Sequence, residues 1–218
     1  MNFFGHALVA ERSEATRGPV RAEFVLGSML PDFASMLRVR PPQATLAAVQ
    51  AGLHFHHLTD DAFHGSHSFL EFSGQASSFL RSHGLARGSA RAVAHVGVEL
   101  LLDAALVTDR ANEAYLSAIE CALTARVANH IAWQAPDGSA RFAHLCHNLA
   151  SRGGVRGDPS PELIAERLRN ILASRPRLAL DDAGQSVVRD WVVTMHPVIV
   201  SGAALLLREV EQRLGSAI

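Results

Sequence analysis

Apolar positions recur at helical spacing along most of the chain, whereas strand-type alternation and β-branched runs are short. Val20 to Leu37 reads as a helix interrupted at Pro31. Pro41-Pro42 marks a turn, since proline suits the first turn of a helix and not its interior. A helix is predicted over Ala44 to Phe63. The next, Ser66 to Ser82, is closed by His83-Gly84, and the one after it, Ser89 to Val107, has Ser89 as N-cap. Further helices are predicted over Glu113 to Trp133, Ala140 to Ser151 and Glu162 to Ser174, with a loop from Val155 to Pro161. A long final helix, Asp182 to Leu214, is expected to bend near Pro197. No heptad pattern persists long enough for a coiled coil, and no internal repeat is visible. The pattern predicts an all-α fold, one compact domain over 1–218 built as a bundle of eight to ten helices.

Composition narrows the picture. The 218 residues are 48% hydrophobic, enough to bury a full core. No uninterrupted apolar run reaches 18 residues, so no transmembrane helix is expected. The stretch Met1 to Glu11 has neither a basic start nor a small-residue cleavage site, so no signal peptide is expected. Cys121 and Cys146 are too far apart to suggest a disulfide framework, which points to reduced thiols and a cytoplasmic location. A net charge of −1 gives no reason to expect a nucleic-acid or membrane partner. Every basic residue is arginine. Seven arginines lie between Arg141 and Arg177, against Asp158, Glu162 and Glu166.

Histidine is the unusual residue. There are 12, and five fall between His54 and His67 together with Asp60 and Asp61. Residues four apart share a helix face, so His56, Asp60 and His64 form one ladder and His57, Asp61 and His64 another. Spacing alone does not choose between them. Imidazoles and a carboxylate on one face suit a borderline divalent ion. One helix supplies only one side of such a site. Asp32, after Leu30-Pro31 in an apolar run, and His6, within Phe3 to Ala10, are the candidates from elsewhere. Glu99 and Asp103 are acidic positions in an otherwise apolar helix, with His95 one turn before Glu99. Two carboxylates in such a helix should face a site, a metal or an arginine. His130, His144, His147 and His196 are read as structural.

Four segments resemble the acyl carrier protein phosphodiesterases, members of the helical metal-dependent phosphohydrolases named for a His-Asp doublet. Met1-Asn-Phe-Phe-Gly-His6 resembles that family's opening Met-Asn-Phe-Leu-Ala-His. Leu26-Gly-Ser-Met-Leu-Pro-Asp32-Phe33 resembles its Gly-Asn-Leu-Leu-Ala-Asp-Phe, and Gly52-Leu-His-Phe-His56 followed by Asp60 resembles its Gly-(x)3-His-(x)3-Asp. Leu168 to Leu178 is similar to its Leu-Asn-Gly-Met-Ala-Asn-Arg-Arg-Pro-Arg-Leu. The order agrees from end to end. There are departures. His64 stands where the family tends to have Asp, and Glu99-Leu100 where it has an Asp-His pair.

The resemblance implies a phosphodiester hydrolase with a divalent ion, typically manganese, with zinc, iron and magnesium as alternatives. In the family the reaction releases 4′-phosphopantetheine from holo acyl carrier protein. By position, His6, Asp32, His56 and Asp60 fall on family motif residues. The resulting expectation assigns metal binding to His6, Asp32, His56, Asp60 and His64. It assigns proton transfer to His57 or Glu99, and phosphate contacts to Arg175 and Arg177. Two other readings remain open. One is hydrolysis of a nucleotide, phospholipid or other small phosphoester. The other is a non-catalytic helical metal-binding protein.

Overall fold

A computed structural model describes residues 1–157 and 159–215; Asp158, one of the acidic residues of the arginine-rich segment and part of the expected Val155 to Pro161 loop, lies outside the described residues. The elements are α1 (Phe3–Ala15), α2 (Ala22–Leu37), β1 (Gln43–Ala44), α3 (Ala47–His64), α4 (His67–Ser82) and α5 (Arg87–Ala105). They continue with α6 (Asp109–Ala122), α7 (Ala125–Ala128), β2 (Ile131–Ala132), α8 (Gly138–Ser151), α9 (Pro161–Leu172) and α10 (Asp182–Gly215). The fold is all-α, with ten helices among the described residues.

Side-chain caps account for several boundaries. The Ser66 hydroxyl accepts from the Phe69 N–H at 3.3 Å and starts α4, while Gly84, at φ +97°, follows its end. Ser160 accepts from Leu163 N–H at 3.1 Å with Pro161 in the first turn of α9. Other boundaries differ from the sequence reading. α2 runs through Pro31, because burial of Leu26, Met29, Leu30, Phe33 and Ala34 outweighs the one hydrogen bond proline forfeits. Ser89 is a buried residue inside α5, and Ala86 holds the N-cap position. The helix expected over Glu113 to Trp133 starts earlier, because Thr108 caps the Ala111 N–H at 3.1 Å. It stops at Ala122. Ile131–Ala132 then pair antiparallel with Gln43–Ala44, so the latter pair is strand and not the first turn of α3. Pro197 lies inside α10 without ending it.

The chain forms two compact units, each discontinuous in sequence. The first comprises residues 1–61 and 107–155, the second 62–106 and the described residues of 156–215.

In the first unit α2 packs against α1, α6 and α8, and α1 against α6. Tyr115 meets the Phe4 ring edge-on at 5.8 Å. The Glu14 carboxylate accepts two N–H bonds from Arg21, at 2.6 and 2.8 Å. The tightest feature is where α2 meets α3. A Cβ added to Gly27 would lie 2.2 Å from the Val49 carbonyl oxygen, and one added to Gly52 would lie 2.1 Å from that of Phe24. Only glycine permits this backbone-to-backbone approach.

In the second unit α10 packs against α4, α5 and α9, and α4 against α5. Trp191 is fully buried over Gly97, and Phe72 occupies the space beside Gly202. By length and composition α10 is apolar enough to cross a membrane, with an 18-residue window of mean hydropathy 1.5. Val188, Trp191, Val192, Met195, Ile199, Ala203, Leu206 and Val210 form its buried stripe.

Gly27→Ala or Gly52→Ala should lower the unfolding free energy by at least about 1–3 kcal/mol, the usual effect of forcing extra atoms into a packed contact. Urea denaturation checks this, and an unchanged midpoint would show that the two helices can separate without loss.

Candidate metal centre

The glycine contact sets up the first group of side chains. His56 lies one turn beyond Gly52 on α3, and Ser28 follows Gly27 on α2. With the helices this close, the His56 Nδ1–H donates to the Ser28 carbonyl at 2.8 Å. A carbonyl only accepts, so the proton is on Nδ1 and the Nε2 lone pair is left to face elsewhere.

His6, on α1, is oriented in the same way. Its Nδ1 is 2.7 Å from the Thr59 hydroxyl. That hydroxyl lies 2.8 Å from the His56 carbonyl and 3.1 Å from that of Phe55, to which its single proton goes. Thr59 therefore accepts from His6 Nδ1–H, and His6 Nε2 also carries a lone pair.

The His6 lone pair lies beside two carboxylates. His6 Nε2 is 3.7 Å from Asp60 Oδ1 and 3.9 Å from Asp32 Oδ2. These distances are too long for hydrogen bonds, and His6 Nε2 is a buried atom with no hydrogen-bond partner. One ligand atom from each of His6, His56 and Asp60 lies within 4.8 Å of the others. Two donors each about 2.1 Å from one ion are at most about 4.2 Å apart, so these separations are within reach of shared coordination after small shifts. The Met1 amino nitrogen is 3.2 Å from Asp60 Oδ1.

The histidines have the protonation that ligation needs. Burial, only partly offset by Asp60, lowers the His6 pKa to about 3. Burial also lowers that of His56, against the hydrogen bond to Ser28. Both are neutral at pH 7.

The second unit holds another group. His64 from the last turn of α3 meets His95 and Glu99 of α5. His64 Nε2 is 3.3 Å from His95 Nε2 and 3.4 Å from Glu99 Oε1, and His95 Nε2 is 3.3 Å from Glu99 Oε1. Burial raises the Glu99 pKa, but the hydrogen bond from His64 and the charge of His95 help bring it below the ordinary carboxylate value.

Neither ladder read from α3 therefore acts as a unit. His56 and Asp60 join His6, with Asp32 beside them, while His64 joins His95 and Glu99. His57 and Asp61 are exposed, because each step along a helix turns about 100° and the residue after His56 faces away. His57, expected to move a proton, belongs to neither group. Glu99 meets two imidazoles. Asp103 is buried in α5. Arg175 and Arg177 are exposed in the segment after α9. His130 accepts or donates at Nδ1 to the Thr45 hydroxyl at 2.8 Å, and His144 and His147 are exposed on α8. The sequence reading did not assign His95 a role; its signal was the His-x3-Glu spacing to Glu99. Thr59 and the Ser28 carbonyl carried no sequence signal.

The His6 shift has a pH consequence. Between pH 6.5 and about 3 the unfolded chain binds a proton at this residue that the folded chain does not. The contribution is complete above pH 6.5 and is lost as pH falls, by up to about 1.4 kcal/mol per pH unit. Denaturation in chelator across this range should show that slope, and His6→Gln should flatten it whatever its effect on absolute stability. An unchanged slope would mean that His6 takes up its proton without unfolding.

The chain matches no family model, no curated protein and no solved structure.

Proposed function

We propose that the chain is a metal-dependent phosphodiester hydrolase whose centre is His6, Asp32, His56 and Asp60. The observation that carries this reading is the convergence of two fixed, neutral imidazole lone pairs with two carboxylates at a largely buried point. A divalent ion among them would be met by nitrogen and carboxylate oxygen donors together.

His6, His56 and Asp60 would hold the ion, and Asp32 would complete the set. Manganese suits this mixture of nitrogen and oxygen donors, as do zinc and iron. A bound ion would supply a Lewis acid for a phosphoryl oxygen and lower the pKa of water for attack near neutral pH. The surrounding residues have their own tasks. Thr59 and the Ser28 carbonyl hold the two rings in the ligating tautomer.

The substrate class follows from the resemblance to the acyl carrier protein phosphodiesterases, and holo acyl carrier protein is the first to test. The seven arginines from Arg141 to Arg177 are all exposed, which suits an acidic protein partner.

Purified protein should hydrolyse bis-p-nitrophenyl phosphate only with added metal, and then release phosphopantetheine from holo acyl carrier protein. Asp32→Ala and His56→Ala should abolish turnover while circular dichroism shows intact helicity; full turnover by either would sink the assignment. Thr59→Val removes only the acceptor that orients His6. It should weaken metal affinity or activity by roughly 10–100-fold, as measured by metal titration and steady-state kinetics.

A further inference from the structure

We infer that His64, His95 and Glu99 form a three-ligand metal site of tetrahedral geometry, suited to Zn²⁺.

The distances point to this geometry. The three ligand atoms form a nearly equilateral triangle with sides of 3.3, 3.3 and 3.4 Å. Ligands about 2.0–2.1 Å from a tetrahedral ion lie about 3.3–3.4 Å from one another. The triangle is thus one face of a coordination tetrahedron, already at its working size.

A cation at the centre of the three would meet all three donor atoms at once.

The rings are also held in place before any ion arrives. Phe69 is buried at 3% exposure and meets both imidazoles edge to face, His64 at 5.0 Å and 89°, His95 at 5.5 Å and 88°. The two rings are also parallel to within 2°. Spacing on α5 places His95 one turn before Glu99, on the same face.

Composition and exposure indicate the metal and its openness. Two imidazoles and one carboxylate are a ligand set found in catalytic zinc sites, which keep a fourth position for water or substrate. The Glu99 side chain is 13% exposed, that of His64 31% and that of His95 49%. Solvent therefore reaches the group while the carboxylate stays largely enclosed. The inference stands apart from the phosphodiester reading, since it uses none of the first unit's ligands.

The test is cobalt substitution on the full-length protein, stripped with chelator and titrated with Co²⁺, then with Zn²⁺ in competition. Wild type should show the intense visible absorption of tetrahedral cobalt, displaced by Zn²⁺. Elemental analysis should give at least one bound ion per chain. His95→Gln and Glu99→Gln should each lose the tetrahedral spectrum and one ion. The loss of affinity should exceed the roughly 10–100-fold that follows removal of an outer-shell partner. His56→Gln should keep the spectrum. His95 is half exposed, so its substitution leaves the core untouched and remains informative if the Glu99 variant fails to fold, as judged by circular dichroism. Cobalt that binds without the tetrahedral signature, or a His95→Gln protein with spectrum and stoichiometry unchanged, would overturn the inference. So would a wild-type protein with no cobalt site at all, the three side chains then sharing protons only. A spectrum lost in His56→Gln and kept in His95→Gln would likewise count against it, leaving the first group as the only centre.

Discussion

The contact between Gly27 and Gly52 is the constraint from which the candidate centre follows. Two helix backbones meet where a single added carbon on either side would fall about 2 Å from a carbonyl oxygen. Such proximity lets a main-chain carbonyl of α2 reach a ring nitrogen of α3, one turn further along. A side-chain partner could rotate away. A helical carbonyl cannot, so the His56 ring has one tautomer and one direction. The two glycines have no chemistry themselves, yet their absence of side chains determines which nitrogen of His56 is free.

His6 reaches the same state by a different route. Its anchor is a hydroxyl whose own proton is already committed to the helix carbonyls behind it. Thr59 is thus an obligate acceptor toward His6, and two unrelated local arrangements leave Nε2 exposed to the carboxylates in both rings. Burial reinforces the result by disfavouring the protonated form of each ring. A pair of imidazoles that cannot readily become cations, next to carboxylates, keeps its ring nitrogens as donors for a cation.

Much of the fold was legible in the sequence because it is local. Helical periodicity marked most of the ten helices, and His83-Gly84 marked the end of α4 by its capping chemistry. Errors arose where non-local contacts override local preference. Pro31 sits inside α2 because Leu30 before it and Phe33 and Ala34 after it are buried, and Ile131–Ala132 leave the helical register because Gln43–Ala44 offer them a ladder. Of the residues singled out by type and setting, His6, His56, Asp60, His64 and Glu99 fall in the two groups, and Asp32 lies beside the first. Their partition was not legible. A helix presents His56 and His64 two turns apart on nearly one face, which made a single ladder plausible. Which partner each finds depends on α1 and α5, and sequence spacing carries no information about that.

The five histidines from His54 to His67 therefore do not act as one cluster. A helical period of 3.6 residues sends neighbours to different faces, so a dense run is divided among environments instead of being concentrated in one. His56 points inward to a carbonyl anchor, His57 points to solvent, and His64 lies against the Phe69 ring. The two groups so formed differ in kind. The first is largely buried, with donor separations of 3.7 and 3.9 Å and carboxylates from two helices. The second is partly open, with sides of 3.3–3.4 Å and one carboxylate. A looser, oxygen-rich set accommodates larger or higher-coordinate ions, whereas a compact nitrogen-rich triangle favours tetrahedral zinc. The same helix would then serve two metal preferences, and the difference between them is imposed by the partners that α1, α2 and α5 supply.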